Sequence, residues 1–277
     1  MVRKMISIFF GFVFLFGLGM VLYPSVSNWV NERNASRVVS SYNEALSELN
    51  PEDFTQLKND AYAHNEILLN SGSLASAVGL EKADNLATYK ALLNVEDSGV
   101  MAVIRIPEIK VNLPIYHTSE ESVLQKAVGH YVGSSLPVGG SGTHCLLTGH
   151  RGLPSARLFT DLDQLEEGDM FYIDVLDETL AYQIDSIRTV LPKEVENLDA
   201  MPGSDYVTLI TCTPYGVNTH RLLVRGSRVP YIPEKEEEKS ESPVEKDSNF
   251  KMIWIVPIVL IILLIILFIR FRKRGGC

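Results

Sequence analysis

Cys212, His150 and Arg221 are the residues of this chain whose types and settings could together break and remake an amide. Cys212 closes the run TLITC and precedes a turn signal made by Pro214, Gly216 and Asn218. Val207, Leu209 and Thr211 alternate with Thr208, Ile210 and Cys212, all compatible with a strand. The stretch from Tyr206 to Arg228 therefore predicts strand, tight turn, strand, with Cys212 at the mouth of the first and Arg221 entering the second. A thiol there is accessible, and nearby positive charge favours the nucleophilic thiolate. Nucleophilic catalysis also needs a proton shuttle and something to hold a developing oxyanion. Imidazole suits the first task because its pKa lies near neutrality. Arginine suits the second, since it stays charged and donates several hydrogen bonds. His150 follows the predicted strand Thr143 to Thr148, in a Gly-His-Arg-Gly turn. All three groups thus lie at or near strand ends, which can converge on one rim of a closed sheet.

Each assignment has a plainer competitor. A cysteine on a strand is most often a small buried hydrophobe, and Cys145, mid-strand beside Leu146 and Leu147, reads that way. Of the six histidines, His64 falls on a helical segment and reads as surface. His220, close to Cys212 in sequence, is the main rival to His150, and composition and spacing leave both open. His117, His130 and His144 complete the set. No His or Cys pair has zinc-like spacing, and scattered carboxylates make no calcium site, so no cofactor or metal is expected.

The elements that must position these residues are mainly β. Val100 to Pro107, Ile109 to Tyr116, Thr143 to Thr148, Met170 to Leu176, Thr179 to Leu191, Tyr206 to Thr211 and Arg221 to Val229 read as strands. Ser119 to Val128 reads as a short helix with Glu120 and Glu121 near its start, and Ala156 to Leu165 as short helical turns. Many short strands at this density predict a closed barrel or a sandwich. Ahead of them, Trp29 to Asn70 predicts two helices broken at Asn50-Pro51. Val39, Tyr42, Leu46 and Leu49 stripe the first, and Phe54, Leu57, Ala61 and Leu68 the second, as expected of a hairpin covering the main domain. Ser71 to Val95 reads as a connector or lid with one short helix.

The 277 residues carry a formal net charge of −9, which argues against nucleic acid as a partner. Cys145, Cys212 and Cys277 provide no disulfide framework. Met5 to Tyr23 and Met252 to Ile269 are each near the length of a membrane span. Lys and Arg flank both on their terminal sides, predicting cytoplasmic termini and an exterior middle. Ser25-Val26-Ser27 also offers small residues at the spacing of a signal-peptide cleavage site. Residues 1–24 are thus an anchor or signal segment, 25–98 the hairpin and connector, and 99–230 the β domain. Residues 231–250 form a Pro, Glu, Lys and Ser-rich tether, 251–270 a second span and 271–277 a basic tail.

Taken with its surroundings, TLITC followed by Arg221 resembles the TLxTC…R signature of the sortases. The stretch LPVGGSGTHCLLTGHRGLPSARLFTDLDQLEEGDMFYI resembles the part of that family carrying its histidine, within TGHRG. The likeness runs from about Val100 to Val229. The IPEIKVNLPIYH and LFTDLDQL runs and the C-terminal span resemble class C, the pilus-assembling branch. The resemblance implies an eight-stranded β-barrel and a cysteine transpeptidase on the outer face of a Gram-positive membrane. It implies that Cys212 attacks the Thr–Gly bond of an LPXTG-type signal, that His150 moves the protons and that Arg221 stabilises the transition state. The acceptor amine would be a pilin lysine; a wall-peptide amine is the close alternative. Class C members commonly carry an Asp-Pro-aromatic lid motif. None occurs between Asn50 and Val100, where Asp84 is a weak stand-in.

Two other readings are a surface-displayed structural or binding protein and a hydrolysing cysteine protease. A sorted surface protein needs an LPXTG-like motif before its span, and Glu234 to Lys251 contains none. The protease shares the thioacyl step and differs only in its acceptor.

Overall fold

The computed structural model describes residues 2–71, 83–95 and 98–233. The second expected span, the acidic tether and Cys277 lie outside these residues. Tyr23–Pro233 make one compact unit, and Met1–Leu22 belong to another.

Eight strands close into a barrel: β1 (Val100–Ile106), β2 (Val111–Tyr116), β3 (Val128–His130), β4 (Thr143–Thr148), β5 (Met170–Val175), β6 (Glu178–Val190), β7 (Asp205–Thr213) and β8 (His220–Val229). Their order around the barrel is β1-β2-β3-β4-β7-β8-β6-β5. The expected closed, mainly β fold is present, and it decides between barrel and sandwich. Strand β3 departs from the sequence pattern, which predicts a helix over Ser119 to Val128. It is three residues long, contains a glycine, and comes three residues after a single helical turn, α4 (Glu121–Leu124), in place of a helix reaching Val128. Gly129 is confined there by crowding: a Cβ would lie 2.4 Å from the Thr118 carbonyl. Strand β2 starts at Val111 because Pro107–Ile109 forms a 3₁₀ turn that Lys110 ends in a left-handed conformation. Pro114 is tolerated inside β2 because pairing with β3 begins only at Ile115.

The helices are α1 (Val2–Glu48), α2 (Pro51–Ser71) and α3 (Ala83–Ala91). Helix α1 runs through Pro24 and stops before Asn50, whose backbone N–H is capped by Asp53 at 2.9 Å. The predicted stripes do face the barrel. Tyr42 and Ala61 are buried in its core, and Val39, Leu46, Leu49, Phe54 and Leu57 pack against it. Tyr42 has a further role. Met101 is the extra residue of a β1 bulge between Val100 and Ala102 and pairs in neither neighbouring ladder. Tyr42 Oη donates to the Met101 carbonyl at 3.3 Å and accepts the Leu176 N–H at 3.2 Å. Asn65 of α2 likewise accepts the Leu136 N–H at 2.7 Å and donates to its carbonyl at 3.2 Å.

Candidate active site

Strand β4 runs parallel to β7, with Thr143 level with Asp205 and Thr148 level with Ile210. The pairing outlasts the strand. Gly149 N–H donates to the Ile210 carbonyl at 3.1 Å, and Thr211 Oγ1 donates to the Gly149 carbonyl at 2.8 Å. His150 follows in the turn, two residues past the Thr148–Ile210 pair, as Cys212 lies two residues past it on β7. On the other side of β7, antiparallel β8 sets Arg221 opposite Cys212. Cys212 and Arg221 therefore lie in one row across adjacent strand ends, one strand spacing of ~4.8 Å apart, and the neighbouring strand β4 leads into the His150 turn.

Alternation decides which way the row faces. Val207 and Leu209 enter the main core, whereas Ile210 joins Leu146, Leu223 and Val195 in a separate apolar cluster outside the barrel wall. Cys212 shares the face of Ile210, and Arg221 that of Leu223. The thiol is half-buried and free, at the end of an apolar floor. Val195 and Leu198, from the β6–β7 connection, pack over that floor. Cys145 lies on the opposite, inner face, 2% exposed. Burial pushes its thiol well above the ordinary range, and Asp205 adds to the rise. It is a core residue. His220 is level with Thr213, one residue out of phase with Cys212, so it points to the other face.

The His150 turn is held from several sides. Gly149 sits against Phe159, where a Cβ would fall 2.7 Å from the ring. The Phe159 N–H donates to the His150 carbonyl at 3.1 Å. The imidazole Nε2 is 3.3 Å from Glu121 Oε2 on α4. The Glu121 carboxyl is held below its ordinary range by hydrogen bonds from Gln125 first and His150 second. Gly152 takes φ +80°, and a Cβ there would be 3.2 Å from the Tyr215 ring, so the second glycine of TGHRG admits the β7–β8 turn. Arg221 Nη1 donates to the carbonyls of His220 at 3.1 Å and Asn218 at 3.3 Å.

The remaining histidines are bound into the fold. His130 accepts Tyr89 Oη–H at 2.8 Å and donates from Nε2 to the Ser135 carbonyl at 2.9 Å. His144 bridges the Asp199 carbonyl at 3.2 Å and Thr208 Oγ1 at 2.8 Å. His117 contacts the carbonyls of Leu92 at 2.7 Å and Gly99 at 3.1 Å. Burial lowers the pKa of all three, that of His130 to about 3. His64 was expected on the surface. Instead it turns inward against Tyr89, ring centroids 6.3 Å apart, and its Nε2 is buried without a partner among the described residues. Sequence reasoning gave Glu121 only a place near a helix start, and gave Arg151 and Asp163 no role. Arg151 and Asp163 stand within the motif strings, but nothing in their spacing says what they touch.

Fold and rim together define a closed β-barrel protein with an accessible rim thiol. The sortase domain family matches residues 104–229. Sortase C1 of Streptococcus agalactiae is 45% identical with a TM-score of 0.67, the match covering 71% of this chain and 100% of that one. Sortase C of Streptococcus pneumoniae is 41% identical with a TM-score of 0.62, covering 70% of this chain and 97% of that one. A sortase A of Streptococcus agalactiae is 31% identical over 46% of this chain. The chain spans about half the length of the curated relatives it matches, 52% of that sortase A and 41% of sortase SrtE1 from Streptomyces coelicolor. This chain belongs to the sortase family, in its class C branch.

Proposed function

We propose that the chain is a membrane-anchored cysteine transpeptidase that cleaves an LPXTG-type signal between Thr and Gly and passes the acyl group to an amine. The observation that carries this reading is the pairing of Cys212 with Arg221 on the outer face of β7 and β8, beside the exit of β4 that leads into the His150 turn. The Cys212 thiolate attacks the Thr carbonyl carbon, and the oxyanion so formed is held by the Arg221 guanidinium. As the C–N bond breaks, the His150 imidazolium gives its proton to the leaving Gly amine. A thioester remains on Cys212. The acceptor amine then loses a proton to His150 and attacks that carbonyl, and the C–S bond breaks to restore the thiolate. Since Nε2 donates to Glu121, Nδ1 is the nitrogen that exchanges protons with the substrate.

The acceptor we favour is a lysine of a pilin subunit. The supporting observation is likeness to sortase C of Streptococcus pneumoniae, whose structure bears on pilin substrate specificity. The catalytic unit is exterior and both termini are cytoplasmic. Helix α1 supports the membrane anchor, being long and apolar enough near its N-terminus to cross a membrane.

The test is mass spectrometry of the chain with a sorting-signal peptide. A thioacyl adduct on Cys212, absent in Cys212→Ala and abolished with transfer in His150→Ala, is the expected result. An adduct on Cys145 refutes the assignment. Adding a pilin or a wall-peptide amine then identifies the acceptor. Joining to the wall amine alone rejects the pilin, and release of free acid with either indicates a protease.

A further inference from the structure

The proposed couple demands a fixed separation between an imidazole and a thiol carried on different segments. Cys212 lies inside β7, but His150 stands beyond β4, in an irregular turn. The bonds that join the two segments as paired strands end at Gly149. Backbone pairing alone therefore leaves His150 at the free end of a strand exit.

Arg151, the next residue, reaches back across this gap. Its side chain is only 9% exposed, on a turn close to the surface. Nη1 donates to Thr213 Oγ1 at 3.3 Å, on the residue that follows Cys212. Nη2 donates to the Asp163 carboxylate, in the 3₁₀ turn Leu162–Gln164 ahead of β5. The guanidinium carbon lies 5.9 Å from the centroid of the Tyr215 ring, in the β7–β8 turn. One side chain thus fastens the His150 turn to the Cys212 strand end, to the β7–β8 turn and to the approach to β5.

Stability alone does not account for this burial. The Arg151 Nε–H is buried and finds no acceptor among the described residues. An unmet buried donor costs stability, and a partly buried ion pair often returns less than an apolar contact would. What the fork does supply is geometry, because its donors are planar and rigidly spaced.

We propose that Arg151 is a positioning residue that sets the placement of His150 against Cys212, an inference resting on the reading of those two as shuttle and nucleophile. Arg151 touches no reacting atom. It acts through Thr213 and the turn it belongs to.

The experiment uses the full chain in detergent, as wild type, Arg151→Lys, Arg151→Met and Thr213→Val. Three quantities are read: kcat and KM for peptide transfer, the pH dependence of Cys212 alkylation by iodoacetamide followed on the Cys212 peptide, and the thermal midpoint. Arg151→Lys keeps the charge but loses the fork. Its kcat is expected to fall about tenfold or more, with KM changed less than about twofold, since small misplacements of reacting groups cost rate steeply. Its Cys212 alkylation profile departs from that of the wild type, because the imidazole no longer sits at a fixed separation from the thiol. Thr213→Val gives a smaller loss of the same kind. A merely structural Arg151 would lower the thermal midpoint and leave the alkylation profile and kcat of the folded fraction at wild-type values; that result overturns the proposal. If Arg151→Met does not fold, Arg151→Lys and Thr213→Val decide by the same criteria. Failure of the underlying reading looks different: the wild type itself forms no adduct at Cys212, or transfers without His150.

Discussion

The histidines illustrate how one residue type takes two roles in this chain. His150 stands at the rim with its Nε2 on an exposed carboxylate, whereas His130 is fully buried between Tyr89, Ser134 and Ser135. Its bonds define one neutral tautomer: Nδ1 accepts from Tyr89, and Nε2–H donates to the Ser135 carbonyl. Burial lowers its pKa to about 3 from an ordinary 6.5, and it also lowers those of His117, His144 and His64. The consequence for stability has a definite sign. The unfolded chain takes up these protons near pH 6.5, and the folded chain resists them. Stability is full above pH 6.5 and falls as pH drops toward the folded values, by about 1.4 kcal/mol per pH unit for each proton held only by the unfolded state. Urea denaturation at pH 7.5, 6 and 5 should show this decline, and His130→Gln should flatten it by about one proton's share. An equal slope in wild type and variant would refute the account of His130. Sequence reasoning could not sort these roles, since it left His150 and His220 open on composition alone. The out-of-phase position of His220 follows from the β7–β8 register, which no local pattern of residue types contains.

At the level of elements, the barrel depends on side chains from outside it. The Met101 bulge leaves a carbonyl unpaired in both ladders, and the Leu176 turn leaves an N–H, and Tyr42 of α1 satisfies both. Its phenol is pushed up to about 12, first by burial. Tyr42→Phe preserves the packing and strands two buried polar groups. It should cost about 1–3 kcal/mol in chemical denaturation while leaving kcat for peptide transfer unchanged. A cost near zero would mean that water or a shifted backbone replaces the hydroxyl. The apolar stripe of α1 was legible, including Tyr42 as a core position. The hydroxyl's partners were not, because a bulge is visible only in the pairing. Strand β3 was hidden for a related reason. Three residues cannot show a two-residue period, and Val128–His130 become a strand only because β2 and β4 receive them. That Cys212, His150 and Arg221 lie at or just past strand ends was readable because each stands where a β pattern meets turn residues. Arg151 and Asp163 were not, because their meeting depends on a loop folding back.

The whole chain divides its apolar surface between two environments. In the first half of α1, Phe9, Phe10, Phe12, Leu15 and Phe16 are each more than 60% exposed. Further along the same helix, Ala35, Tyr42 and Ala45 are buried in the barrel core. Large side chains gain about 1.5–3 kcal/mol each when removed from water, and the first half is long and apolar enough to cross a bilayer. Every residue of the main core lies between Ala35 and Val224, inside the unit Tyr23–Pro233. A fragment of residues 23–233 should therefore be soluble, melt cooperatively and transfer a soluble peptide at the full-chain rate, whereas the full chain sediments with membranes. A second fragment, residues 99–230, keeps all eight strands and loses Tyr42, Ala61, Tyr89 and Leu93 from the core. It leaves the Met101 carbonyl and the Leu136 N–H without their helical partners. We expect it to precipitate or to melt without a sharp transition. Equal melting curves for the two fragments would show that the helices only cover the barrel; a lower or absent transition in the shorter one makes residues 25–98 part of a single folding unit with the strands.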